Sequence, residues 1–180
     1  MKVTNSLLRC IPLTLMPFIP GCKQQKEMPN IIFLLTDDHR FDAMGYTGNQ
    51  YIKTPNMDRL AERGIIFENA YVTTSISCAS RASILTGQYA SRHGINDFNT
   101  DFSDPALMKT YPMMLKNHAG YKIGFIGKYG VGLNNHPADK YDYWGCEKVI
   151  QPRYENYDST GKMTHYTDLI NNRIQEFLLK

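Results

Sequence analysis

Residues 30–36 (NIIFLLT) form a short, unbroken apolar run, the pattern of a strand buried on both faces. The run ends at two acids, Asp37 and Asp38. Thr54-Pro55 reads as a helix start, with Thr as N-cap and Pro in the first turn. Met57, Leu60 and Ala61 continue a helical stripe that Gly64 stops. Residues 65–72 (IIFENAYV) read as a second strand. Residues 80–86 read as a helix closed by Gly87, and 110–118 as a helix with Pro112 in its first turn and Gly120 after it. Residues 121–126 (YKIGFI) read as a further strand. A last helix is expected over 166–179, with Leu169, Ile170, Ile174, Phe177 and Leu178 as its apolar positions. Strand–helix alternation of this kind predicts an α/β fold with a largely parallel sheet and helices on both faces. No internal repeat or low-complexity segment interrupts it.

The first 22 residues follow a different pattern. Lys2 and Arg9 give a positive start, and residues 10–20 (CIPLTLMPFIP) are apolar but too short to span a bilayer. The stretch closes on Gly21-Cys22 ahead of the polar run KQQKE. This resembles a bacterial lipoprotein leader with Cys22 as the lipidated residue. A plain secretory signal is the alternative. The division expected is a leader over 1–22 and one domain over 23–180, in a protein exported to the periplasm or outer membrane and attached through a lipid anchor. Cys78 and Cys146 are then the cysteines left to pair, and the sequence does not show that they meet.

Composition narrows the partners. A hydrophobic fraction of 42% and an aromatic fraction of 12% suit a globular chain. The net charge of +3 owes two positives to Lys2 and Arg9. No basic stripe remains, which argues against nucleic acid.

Ligands of open α/β sheets bind beyond the carboxyl ends of the strands, and Asp37 and Asp38 stand at such an end. Adjacent carboxylates repel unless a cation lies between them, and hard oxygen donors suit calcium or magnesium. A solvated turn or a helix cap would explain the pair equally well. The second feature is Ser77-Cys78-Ala79-Ser80-Arg81 entering a helix. Free backbone N–H groups and the positive helix end suit an anion there, and the Arg81 fork matches sulfate or phosphate oxygens. Simple capping serines and a surface arginine are the bland alternative. Cys78 as a thiol nucleophile is a third reading; no His lies near it in sequence, although a distant one could serve it. Lys128, just after a strand, is either a surface lysine or an anion contact.

Taken in order, NIIFLLTDDHRFDAMGYTGN, TPNMDRLAERGIIFENAYV, SCASRASILTGQYASRHGI, GYKIGFIGKYG and HYTDLINNRIQEFL resemble successive parts of the sulfatase family. The third matches that family's signature: Cys or Ser, any residue, Pro or Ala, Ser, Arg, then an apolar helix and Thr-Gly. Counting back from Arg81 puts Ser77 at its first position and Cys78 at the variable one. The resemblance implies an alkaline phosphatase-like fold, with only its N-terminal part present in this chain. It also implies a sulfate ester hydrolase acting on a sulfated carbohydrate. Ser77 is then the residue a separate maturase oxidises to formylglycine, whose hydrate attacks sulfur. Asp37, Asp38 and the modified Ser77 are implied ligands of Ca2+. Arg81 is expected to steady the hydrate, and Lys128 to contact the sulfate.

Two departures qualify this. Where the family often has Lys-Trp-His, this chain has Lys128-Tyr129-Gly130. The Lys-Tyr pair and the SRASILTG context resemble the N-acetylglucosamine-6-O-sulfatases. Members of the family also run several hundred residues further, bringing an Asp-Asn pair of metal ligands, a second His and a second Lys. A truncated chain is therefore expected to leave apolar sheet edges exposed and to be inactive alone. The rival functions are a phosphodiesterase or phosphonate hydrolase of the same superfamily, and a non-catalytic remnant.

Overall fold

A computed structural model describes residues 28–147, 153–158 and 160–179. The leader expected over 1–22, with Cys22, lies outside the described residues. The chain divides after Thr36 into two compact units. Of the first, residues 28–36 are described, and they carry no regular secondary structure. Ile32 and Leu34 are 68% and 70% exposed. The strand expected at 30–36 is therefore not formed. A strand's N–H and C=O groups are completed by a neighbouring strand, and no described strand pairs with this run.

The second unit begins with a 3-10 turn (Gly45–Thr47) and helix α1 (Pro55–Arg63). Thr54 precedes α1 as expected but makes no side-chain cap. Its hydroxyl instead accepts the Gly45 N–H and donates to Asp58, tying the turn to the helix. Gly64 ends α1 in extended backbone, without a left-handed cap. Residues 65–72 do not form the second expected strand, and Ile65 and Phe67 are 84% and 79% exposed. The reason is the same as at 30–36: no described strand runs beside them.

From Ser77 onward the chain packs. Helices α2 (Ser77–Thr86), α3 (Ala90–His93), α4 (Asp104–Leu107) and α5 (Tyr111–Ala119) precede strand β1 (Gly124–Gly127). Gly87 and Gly120 cap α2 and α5 as the sequence predicts. Strand β2 (Tyr143–Cys146) runs parallel to β1, with Gly124 opposite Tyr143 and Gly127 opposite Cys146. A short antiparallel hairpin, β3 (Glu155–Tyr157) and β4 (Met163–His165), leads into α6 (Tyr166–Leu178). Its turn is closed by the Asp158 carboxylate, which accepts the N–H groups of Thr160 and Lys162.

Alternation along β1 and β2 puts different residues on the two faces of the pair. On one face Gly124 and Gly145 leave room for α6: a side chain at Gly124 would meet Phe177, and one at Gly145 would meet Arg173. The Tyr143 ring packs at a tilt against Phe177, and its hydroxyl donates to Glu176 on the same side. On the other face Phe125, Trp144 and Cys146 pack against the buried cluster formed by Cys78, Ala82 and Leu85 of α2, with Ile95, Met113 and Val131. Helices thus cover both faces of a parallel pair, as predicted, although the described sheet is narrower than the sequence pattern implies. Cys78 and Cys146 are both free thiols.

Candidate active site

Helix α2 sorts the signature residues by its own geometry. Positions 78, 82 and 85 share one side and are buried, Cys78 completely. Positions 77 and 81 are one turn apart on another side, within reach of each other. The Arg81 Nε–H donates to Ser77 Oγ at 3.2 Å. A one-residue difference therefore separates a partly buried hydroxyl beside an arginine from a thiol packed in apolar side chains.

Arg81 is 8% exposed, and a buried guanidinium needs its donors filled. Its Nη1 donates to the Lys128 carbonyl at 2.6 Å and its Nη2 to Asp37 Oδ1 at 2.8 Å. The Lys128 ammonium takes the other Asp37 oxygen, Oδ2, at 2.7 Å. Lys128 reaches this position because β1 ends at Gly127, so the sheet presents its next residue beyond a strand's carboxyl end. Asp37, Ser77, Arg81 and Lys128, from three separate stretches of sequence, thus form one connected cluster. Burial acts to raise the Asp37 pKa. Hydrogen bonds from Lys128 and Arg81, reinforced by their charges, outweigh this and hold the carboxylate below its ordinary value. Arg81 and Lys128 bring two cations to the cluster, opposite Asp37 and its exposed neighbour Asp38.

Asp38 is exposed and adopts φ 50°, a left-handed conformation that Asp tolerates better than most residues. Asp37 and Asp38 supply hard oxygen donors of the kind calcium takes. Among the described residues no group of three or more His, Cys, Asp or Glu converges on a metal position. Both Asp37 oxygens are engaged by Arg81 and Lys128, so the two aspartates share the donor chemistry that calcium takes but mark out no position for it.

The sequence pointed to no histidine near the signature, yet the fold brings one there. His93 Nε2 lies 3.0 Å from Ser83 Oγ, and His93 Nδ1 accepts the Ile95 N–H. An Nδ1 that accepts leaves the proton of the neutral ring on Nε2. The ring then donates to Ser83 and cannot take its proton. Burial holds the His93 pKa below its ordinary value, against a hydrogen bond to the Ala79 backbone that acts the other way. This pair braces α2 against α3.

The sulfatase family profile matches residues 29–180. The chain belongs to the sulfatase family. An N-acetylglucosamine-6-O-sulfatase of Bacteroides thetaiotaomicron is 36% identical over 87% of this chain and 28% of its own length. The human N-acetylglucosamine-6-sulfatase is 32% identical over 93% of this chain and 31% of its own. A protein solved in complex with its substrate D-glucosamine-2-N,6-O-disulfate superposes with a TM-score of 0.71 at 35% identity, covering 86% of this chain and 32% of that one. The fold is accordingly the alkaline phosphatase-like fold of sulfatases. The chain spans about a third of the length of these relatives.

Proposed function

We propose that this chain provides the N-terminal part of the active site of an exported sulfatase that hydrolyses 6-O-sulfate esters of a glucosamine-type sugar. The observation carrying this reading is the Asp37–Arg81–Lys128 cluster closed onto Ser77. It sets a hydroxyl at a helix N-terminus beside Arg81, with the Lys128 ammonium joined to the same cluster through Asp37. The substrate class is supported by similarity to relatives named for 6-O-sulfated amino sugars and to a protein solved with a glucosamine disulfate.

In this reading a maturase oxidises the Ser77 alcohol to formylglycine, and the hydrated aldehyde carries two hydroxyls. One attacks sulfur while the sugar alcohol leaves. The second then loses its proton, the aldehyde reforms and sulfate departs. An unmodified serine has no second hydroxyl and would stay sulfated. Arg81 fixes the position of residue 77 through its Nε–H. Lys128 contacts the sulfate and meets the charge on its oxygens. Asp37 and Asp38 would hold calcium, which would polarise a sulfate oxygen and acidify the attacking hydroxyl. Cys22 carries the lipid that anchors the exported protein, in the periplasm or at the outer membrane.

Mass spectrometry of the protein from its own cells tests the nucleophile. The tryptic peptide 64–81 is expected about two mass units light, the loss of two hydrogens on oxidation of an alcohol to an aldehyde. A full-length sulfatase carrying this segment should release sulfate from 6-O-sulfated N-acetylglucosamine and not cleave an aryl phosphodiester. Ser77→Ala should abolish release, while Cys78→Ser should leave residue 77 oxidised. A peptide of unaltered mass, or full activity in Ser77→Ala, overturns the assignment.

A further inference from the structure

Arg81 is held by three partners, but the space its side chain occupies is set by a residue that bonds to none of them. Gly130 is buried and adopts φ +66°. A Cβ placed on it would lie 2.8 Å from Arg81 Cδ and 3.1 Å from Arg81 Nε. Lys128 Cε would lie 3.6 Å away. The first of these contacts is closer than carbon atoms approach without repulsion. Arg81 cannot relieve it by turning aside, because its Nε–H, Nη1 and Nη2 are committed to Ser77, Lys128 and Asp37.

We propose that Gly130 is a positioning residue for Arg81. Its missing side chain is the slot in which the arginine stem lies while the guanidinium joins Ser77, Asp37 and the Lys128 carbonyl. On this backbone, with φ +66° at residue 130, a Cβ there meets that stem and opens the cluster.

Gly132 provides the control. It is buried with nearly the same backbone, φ +70°, but a Cβ there would run into Asp101 and not Arg81. Both Gly130→Ala and Gly132→Ala carry the cost of a side chain in the left-handed region. The first adds a collision with Arg81 and the second a closer collision with Asp101, so only the first loss should depend on Arg81.

The test is a double-mutant cycle on the full chain, read by thermal denaturation. Gly130→Ala should lower the Tm by roughly 5 °C, and by less than half as much in an Arg81→Ala background. The Gly132→Ala loss should be the same with or without Arg81. If Gly130→Ala does not fold, the Gly130→Ala/Arg81→Ala pair must fold. A second readout follows Arg81 itself: the Nε–H resonance of 15N-labelled arginine, assigned by its absence in Arg81→Lys. It should be protected from solvent exchange in the wild type and in Gly132→Ala, and lose that protection in Gly130→Ala. Equal Tm losses in both Arg81 backgrounds, or failure of both Gly130 variants to fold, would overturn the proposal. Retained Nε–H protection in Gly130→Ala would overturn it too. None of these readouts depends on sulfate hydrolysis, so the Gly130 assignment and the sulfatase reading fail separately.

Discussion

Residues 65–72 and the stretch from Cys78 to Gly145 are both rich in apolar side chains, and the structure treats them in opposite ways. Every buried residue described lies between Cys78 and Gly145. Ile65, Phe67, Tyr71 and Val72 are mostly exposed. Hydrophobicity does not separate the two; the kind of element does. A helix such as α2 completes its backbone hydrogen bonds internally and needs only something to lay its apolar side against. The four helices α2 to α5 follow one another closely and provide that for each other. A strand needs a second strand at its side before it becomes a strand at all. β1 finds β2 in parallel register, while 65–72 finds none among the described residues.

The comparison sharpens into measurements of unequal size. The largest effect belongs inside the packed stretch. Met113 is 1% exposed in the central cluster, and Met113→Ala should cost about 2–5 kcal/mol in denaturant unfolding. A cost under about 1 kcal/mol would show that this cluster is not the stabilising core.

A smaller effect comes from the brace between α2 and α3. His93 is neutral in the fold and its pKa lies below the ordinary 6.5. The fold binds fewer protons at this site than the unfolded chain, so stability is full above pH 6.5 and declines as pH falls through that value toward the lowered one. His93→Gln should remove this part of the slope in unfolding free energy between pH 7.5 and 5. An unchanged slope would mean that the ring titrates freely.

The smallest effect belongs to the exposed run. Ile65→Lys and Phe67→Lys should each change stability by no more than about 0.5 kcal/mol. Both should raise the protein concentration at which light scattering detects aggregation, since they break an exposed apolar strand-like segment. A loss comparable to that of Met113→Ala would mean the run is packed in solution, and the contrast between the regions would fall.

What could be read from the chain follows the same division. The helices near 55–63, 77–86, 111–119 and 166–178 were legible because their start and stop residues and apolar spacing lie within one turn of each other in sequence. Ser77 was distinguishable from Cys78 by counting along the signature. β2 was missed although Tyr143 and Trp144 have strand-forming side chains, because four residues give too short a period to recognise. The hairpin of β3 and β4 was also missed, although its Asp158 and Gly161 are ordinary turn residues.

The sequence by itself singled out the candidate site residues: two aspartates after an apolar run, a serine and an arginine one helical turn apart, and a lysine after a strand. Only the tertiary structure decided how they are joined. It set Asp37 between two cations, aimed Arg81 at the Lys128 carbonyl, sank Cys78 into the core and left Gly130 as the gap that the arginine stem fills. Spacing along a helix is fixed by its pitch and can be counted. A contact between residues 44 or 47 positions apart depends on how several elements pack at once, and no local pattern records that.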